Sequence, residues 1–224
     1  MSHPIVKTYE ESCKAVAQLG ILPLSATIPD HPSLADITEV SAWHTGLEAD
    51  PWRWRNRFAT EGIAAYGRFI GSKPFLVSRE LFPLFKCVLA APTSLDERYT
   101  AGTLARPVIR LYEIIQQHEI IDVRALRKQA RMQHKTEKNA FDRALIDLQN
   151  TAEIVMSGTA SNRNEQGATS GWDGTCYMLA ESWMDQHGIE PCTLNRAEAR
   201  EQLFAQLQPH WEKDAILYLQ KRIQ

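Results

Sequence analysis

Apolar residues recur along this chain at the three-and-four spacing that lays one stripe along a helix, interrupted by short β-type runs and by proline-rich stretches. The first stripe, Cys13, Val16 and Ala17, predicts a helix opened by a Thr8/Glu11 capping box and closed at Gly20. Between residues 21 and 32 the prolines Pro23, Pro29 and Pro32 remove backbone donors, which predicts an ordered loop or an extended arm. Asp50-Pro51 reads as an N-cap and a first helical residue, leading a short helix through Phe58. Residues 63–70 and 74–77 flank Gly71-Ser72-Lys73, the pattern of a hairpin. Ser78 is placed to cap a helix bearing Leu81, Leu84, Phe85 and Val88, and Ser94 with Glu97 opens another that ends at Gly102.

Further along, Val108, Leu111, Tyr112 and Ile115 predict a helix from Thr103 to about His118. Asp122 caps a second, with Val123, Leu126 and Ala130 inward, and Phe141, Ala144, Leu145 and Leu148 define a third. Residues 153–157 are β-rich, 158–171 are small and polar, and 172–178 return as a strand. Three helices, a strand, a long polar loop and a strand make the order of a winged helix-turn-helix. The expected fold class is α+β, mainly α: a winged helix-turn-helix at 101–180, joined to an N-terminal helical and β-hairpin module at 1–100 and a C-terminal helical segment at 181–224. In that last segment Trp183, Leu203, Phe204, Leu207, Ile216, Leu217 and Leu219 offer packing surface, either for docking on the rest of the chain or for a homodimer through the C-terminal helices.

Charge changes the picture locally. The 224-residue chain carries a formal net charge of -2, so it is no polycation as a whole. Residues 123–143 nevertheless hold seven Lys and Arg against Glu137 and Asp142, a surplus of five that leaves the remainder at -7. Arg124, Arg127, Lys128, Arg131 and Lys135 are expected on the outside of the second helix and its turn, Lys138, Asn139 and Arg143 on the third helix, and Arg163 in the polar loop. Cations so grouped suit the phosphates of duplex DNA, and Asn139 and Arg143 are of the types that read adenine and guanine. The same pattern also fits an ordinary solvated helical face, and Asp142 and Asp147 flank the third helix with charge that repels phosphate. Four single cysteines, Cys13, Cys87, Cys176 and Cys192, and seven dispersed histidines show no ligand spacing, so neither metal nor cofactor is expected. No apolar run reaches signal-peptide or membrane-spanning length, which predicts a cytoplasmic protein without membrane contact.

Several stretches carry a family likeness: Thr103-Leu-Ala-x-x-Val-Ile-x-Leu-Tyr, Asp122-Val-Arg-Ala-Leu-Arg, Phe141-Asp-Arg-Ala-Leu-x-x-Leu-Gln, Ile154-Val-Met-Ser-Gly, Asp50-Pro-Trp-Arg-Trp-Arg and Ala65-Tyr-Gly-Arg-Phe. Together they resemble the AlkZ-related branch of the AlkZ and YcaQ group of winged-helix DNA glycosylases. The resemblance implies a DNA-binding protein related to DNA repair and, as its enzymatic alternative, a monofunctional glycosylase acting on alkylated or cross-linked bases. It also implies a Gln-x-Gln or Gln-x-Asp motif on a strand in the N-terminal half, which this chain lacks. Its Gln-x-Gln is Gln206-Leu-Gln208, in a C-terminal helical segment where a solvated face is expected.

The indole and guanidinium groups of Trp52, Arg53, Trp54, Arg55 and Arg57 suggest a second site, a pocket lined by Trp43, His44, Asp50, Trp52, Arg55 and Tyr66. A base received there would need aromatic stacking and a carboxylate to orient water, from Asp50 or Glu48. The competing reading is core tryptophan with surface arginine. The acids beside the third helix leave open a third class of function, a winged helix that binds protein and never touches DNA.

Overall fold

The computed structural model describes residues 4–160 and 174–223. Helix α1 (Tyr9–Leu19) opens with the predicted capping box: Thr8 Oγ1 accepts the Glu11 amide at 3.2 Å, and the Glu11 carboxylate accepts the Thr8 amide at 3.3 Å. Its buried stripe is Tyr9, Ser12, Val16 and Leu19, while Ala17, expected inside, is exposed. Ser12 is tolerated there because its hydroxyl donates to the Tyr9 carbonyl.

The proline segment does more than connect. Strand β1 (Ile21–Pro23) is the edge of a three-stranded antiparallel sheet ordered β1-β3-β2, with β2 (Ala64–Ile70) and β3 (Lys73–Ser78). An edge strand has one side without ladder bonds, which is where a residue lacking an N–H is accommodated. The predicted β2–β3 hairpin forms with Ile70 opposite Lys73, and Gly71 takes φ 74° in the turn between them. Helix α2 (Pro51–Thr60) starts as expected from Asp50 and Pro51. Helix α3 (Phe82–Leu89) starts later than a Ser78 cap implies, since Pro83 belongs in a first turn; Leu81, Leu84, Phe85 and Val88 are all buried. Ser94 and Glu97 form the second capping box, at the head of α4 (Leu95–Thr100).

Helix α5 (Arg106–Gln117) likewise begins at Arg106 and Pro107, not at Thr103. It is followed by a two-residue strand β4 (Ile121–Asp122), helix α6 (Val123–Gln129), a 3-10 turn (Lys135–Glu137), helix α7 (Lys138–Asn150), and strands β5 (Ile154–Ala160) and β6 (Gly174–Leu179). These strands form a second antiparallel sheet in the order β4-β6-β5. The polar loop predicted at 158–171 contributes residues 158–160 to β5; its remainder lies outside the described residues.

Helices α8 (Ala180–Gln186), α9 (Arg196–Leu207) and α10 (Lys213–Arg222) complete the chain. One apolar core gathers Val16, Leu22, Trp54, Phe58, Leu111, Leu126, Phe141 and Leu148. The other gathers Ile21, Phe75, Phe82, Val155, Met178, Trp183, Leu203, Trp211 and Leu219. Two indoles pin the C-terminal segment: Trp183 Nε1 donates to the Ala59 carbonyl at 2.7 Å and Trp211 Nε1 to the Leu19 carbonyl at 2.8 Å. Of the two readings of the C-terminal stripes, docking on the chain itself is therefore realised. Leu203, Phe204, Leu207, Ile216 and Leu219 are buried, which withdraws them from the homodimer face, and of that set Leu217 stays exposed. No helix among the described residues is long and apolar enough to cross a membrane.

Candidate nucleic-acid interface

Asp122 starts α6 by accepting the Arg124 and Ala125 amides, which turns Leu126 into the core and leaves Arg124 and Lys128 exposed. The helix closes with the Arg131 amide donating to Lys128 O and the Met132 amide to Arg127 O, each at 3.0 Å, and Arg131 stands at φ 52°. That bond pair is a Schellman closure, in which the left-handed position is usually glycine. Lys135, Lys138, Asn139 and Arg143 follow, all exposed. Among the described residues Lys128, Arg131, Lys135, Lys138 and Arg143 form no ion pair. Arg163 lies outside the described residues.

Arg127 departs from expectation. Its side chain is half-buried, its Nη2 lies 3.3 Å from Asp142 Oδ1, and its guanidinium sits 4.5 Å over the Phe141 ring. It clasps α6 to α7 instead of standing in solvent. The clasp also satisfies Asp142, one of the two acids that would repel phosphate. The other, Asp147, has its carboxyl pushed up by burial while Arg98 and Arg143 draw it back. Farther along α7, Asn150 Oδ1 accepts the Gly71 amide at 2.7 Å and Gln149 Oε1 the Arg68 amide at 2.9 Å, so the β2–β3 hairpin covers the helix end. The open part of α7 is its first two turns, with Asn139 and Arg143.

The tryptophan and arginine helix resolves differently. Asp50 is buried, and its carboxylate accepts amides from Trp52 at 2.9 Å, Gly46 at 2.9 Å and His44 at 3.0 Å. Burial pushes its pKa up, but the three amides and the nearby His44 outweigh this and hold it below the usual carboxylate range. Asp50 is thus a cap committed to backbone, not a group poised to orient water. Glu48 is exposed and ion-paired with Arg57, which also meets Glu61 at 2.9 Å and lies 3.8 Å over the Tyr9 ring.

Four of the six expected pocket residues, Trp43, His44, Asp50 and Tyr66, do not line the cleft beside α2. Trp43 Nε1 donates to Thr38 Oγ1 at 2.9 Å, Tyr66 is buried in the first core, and exposed His44 has its ring 4.8 Å from that of Trp52. Trp52 and Arg55 do line a cleft of about 760 Å³, whose opposite wall is Thr159 and Thr175. These threonines face each other across β5 and β6, so the cleft lies between α2 and the β5–β6 strand pair. Gly158 makes this approach possible: at φ 130°, a Cβ there would come 3.0 Å from Thr60 Cγ2. Arg55 Cζ sits 3.4 Å over the Trp52 ring, covering an indole face that a stacked base would require. The threonines carry no signal of their own in the sequence; only the register that pairs Thr159 with Thr175 reveals them.

The four cysteines are free thiols, and burial together with the neighbouring Cys192 thiol pushes the Cys87 pKa up. Among the described residues no three His, Cys, Asp or Glu side chains converge as a metal site.

These features describe an α+β protein with, among the described residues, two antiparallel three-stranded sheets and a basic helix pair beside them. Over residues 6–224 the chain matches the AlkZ-related family, and it belongs to that family. Among solved structures it is similar to Streptomyces sahachiroi DNA glycosylase AlkZ, with a TM-score of 0.47 and 12% identity, over 91% of this chain and 51% of that one. The chain therefore spans about half the length of that structure. No curated protein matches it. Strands β1, β2 and β3 in the N-terminal half contain no glutamine, and Gln206 and Gln208 are exposed at the end of α9.

Proposed function

We propose that the chain binds duplex DNA through a winged helix-turn-helix made of α5, β4, α6, α7, β5 and β6, and that it serves DNA repair, a reading its membership of the AlkZ-related family supports. The observation that carries this reading is the succession of exposed cations, Lys128, Arg131, Lys135, Lys138 and Arg143, on α6, its turn and α7. Lys and Arg at these positions would neutralise phosphates, while Asn139 and Arg143 would meet base edges. Protein binding alone has less support, because Asp142 is spent on Arg127 and the charges of Arg98 and Arg143 offset that of Asp147. Base excision has less support, since Asp50 is bound to backbone and Glu48 to Arg57.

Fluorescence anisotropy on a 20-base-pair duplex, repeated over a salt series, tests the reading. Affinity should fall as salt rises, and replacing Lys128, Lys135 and Lys138 by Ala should weaken binding and flatten the log–log salt slope by about 1 for each phosphate no longer neutralised. Affinity indifferent to salt, or to the triple replacement, would show that this face does not grip phosphate.

A further inference from the structure

The α2 cleft has a chemistry that duplex docking on α6 and α7 does not use. Three guanidinium groups, Arg53, Arg55 and Arg57, line one wall, and Glu48 stands beside them. Arg57 is neutralised by Glu48 and Glu61. Arg53 and Arg55 are instead held by uncharged oxygens: Arg53 Nη1 donates to Gly46 O at 2.7 Å, Arg55 Nε to Trp52 O at 2.8 Å, and Arg55 Nη1 to the Tyr66 hydroxyl at 3.4 Å. Among the described residues no carboxylate pairs with either, and most of the five N–H donors on each have no partner there.

Stacking on Trp52 holds the Arg55 fork in one orientation, so little side-chain freedom is lost when it meets a bidentate acceptor. Asn56 on the same wall, and the Thr159 and Thr175 hydroxyls opposite, add neutral polar groups. The cleft volume of about 760 Å³ is of the order that small organic ligands occupy and is far too small for a duplex. The one carboxylate among the described lining residues, Glu48, is paired with Arg57, and a guanidinium fork set on an aromatic plate and faced by hydroxyls suits a phosphate ester.

We infer that the cleft between α2 and the β5–β6 strand pair binds the phosphate of a single nucleotide unit, presented either by an unpaired nucleic-acid strand or by a free nucleotide. Arg55 and Arg53 bind the phosphate oxygens; Thr159 and Thr175 close the opposite side. The site uses none of the α6–α7 cations, so it stands or falls separately from duplex docking.

The test uses the full chain and two fluorescein-labelled probes, the single-stranded tetranucleotide dT4 and the 20-base-pair duplex. In the Arg53→Gln/Arg55→Gln variant dT4 binding should weaken at least tenfold while duplex binding changes less than twofold; the Lys128→Ala/Arg131→Ala variant should show the reverse. Thr159→Glu, which brings a carboxylate in from β5 without touching α2, should also abolish dT4 binding, and thermal melts of each variant separate lost binding from lost folding. Competition by unlabelled thymidine monophosphate, but not thymidine, would identify a free nucleotide as sufficient; competition by oligonucleotide alone would identify the strand. Absence of dT4 binding by the native chain, or binding that survives both Arg53→Gln/Arg55→Gln and Thr159→Glu, would overturn the inference even if duplex binding holds.

Discussion

Arg131 occupies a backbone position where a side chain is a liability. At φ 52°, in the Schellman closure of α6, glycine would lie without strain, and an L side chain costs about 1 kcal/mol more. Arg131→Gly should therefore leave urea-denaturation stability unchanged or raise it by up to about 1 kcal/mol, the gain being trimmed by the extra freedom of glycine in the unfolded chain. Duplex affinity should fall in the same variant. A loss of stability would mean that the side chain, and not only its charge, is needed. Asp50 is the opposite case, a residue whose chemistry is entirely structural. Losing its cap and its charged hydrogen bonds in Asp50→Ala should lower stability by roughly 2–3 kcal/mol. Because its folded-state pKa is depressed, this contribution is present above the unfolded carboxylate value and lost as pH falls through the folded one. The stability difference between native and Asp50→Asn protein should accordingly be flat from neutral pH down to about pH 4 and shrink below it. A difference that persisted into stronger acid would contradict the capping role.

Between elements, the Arg127 clasp ties α6 to α7. A half-exposed ion pair contributes up to about 1 kcal/mol and a guanidinium over an aromatic ring a comparable amount. A double-mutant cycle of Arg127→Ala and Asp142→Ala, read by denaturation, should give a favourable coupling of about 0.5–1 kcal/mol; coupling near zero would mean that Phe141 stacking alone positions the arginine. A helical projection of 123–130 directs Arg127 away from Leu126 and is right about that, but it is blind to what approaches from the next helix. The same distinction separates what the chain reveals from what it hides. Capping boxes at Thr8 and Ser94, the Asp50-Pro51 start and the Phe141, Ala144, Leu145, Leu148 stripe are local, and each is where its residues direct. The starts of α3 and α5 moved because Pro83 and Pro107 compete with the upstream hydroxyls as first-turn residues. β4 has two residues and no readable period, and it exists because Cys176 and Tyr177 offer it a ladder. The candidate cleft was half visible: Trp52 and Arg55 are one turn apart on one helix, whereas the wall opposite depends on tertiary approach.

At the scale of the molecule, alternation on the second sheet decides how the chain divides. Ile154 and Met156 enter the first apolar core and Val155 the second; across the ladder Tyr177 enters the first and Met178 the second. Successive side chains of a strand point to opposite faces, so this sheet is covered on both sides. One cover includes Trp54 and Phe58 of α2, the other includes Phe82 of α3 and Leu203 of α9. Division of the sequence at residues 100 and 180 follows polarity along the chain, but both covers cross those lines. A fragment of residues 101–180 would leave Ala152, Val155, Met178 and Ala180 in water, and each large apolar side chain so exposed forfeits about 1.5–3 kcal/mol. Domain stabilities are only about 5–15 kcal/mol, so the loss is of the size that decides folding. The fragment should therefore bind a hydrophobic dye and melt without a cooperative transition, while the whole chain unfolds in one step whether followed by circular dichroism or by tryptophan fluorescence. A sharp, dye-free transition in the fragment would show that helices α5 to α7 and their sheet are self-sufficient, with the N- and C-terminal segments laid on afterwards.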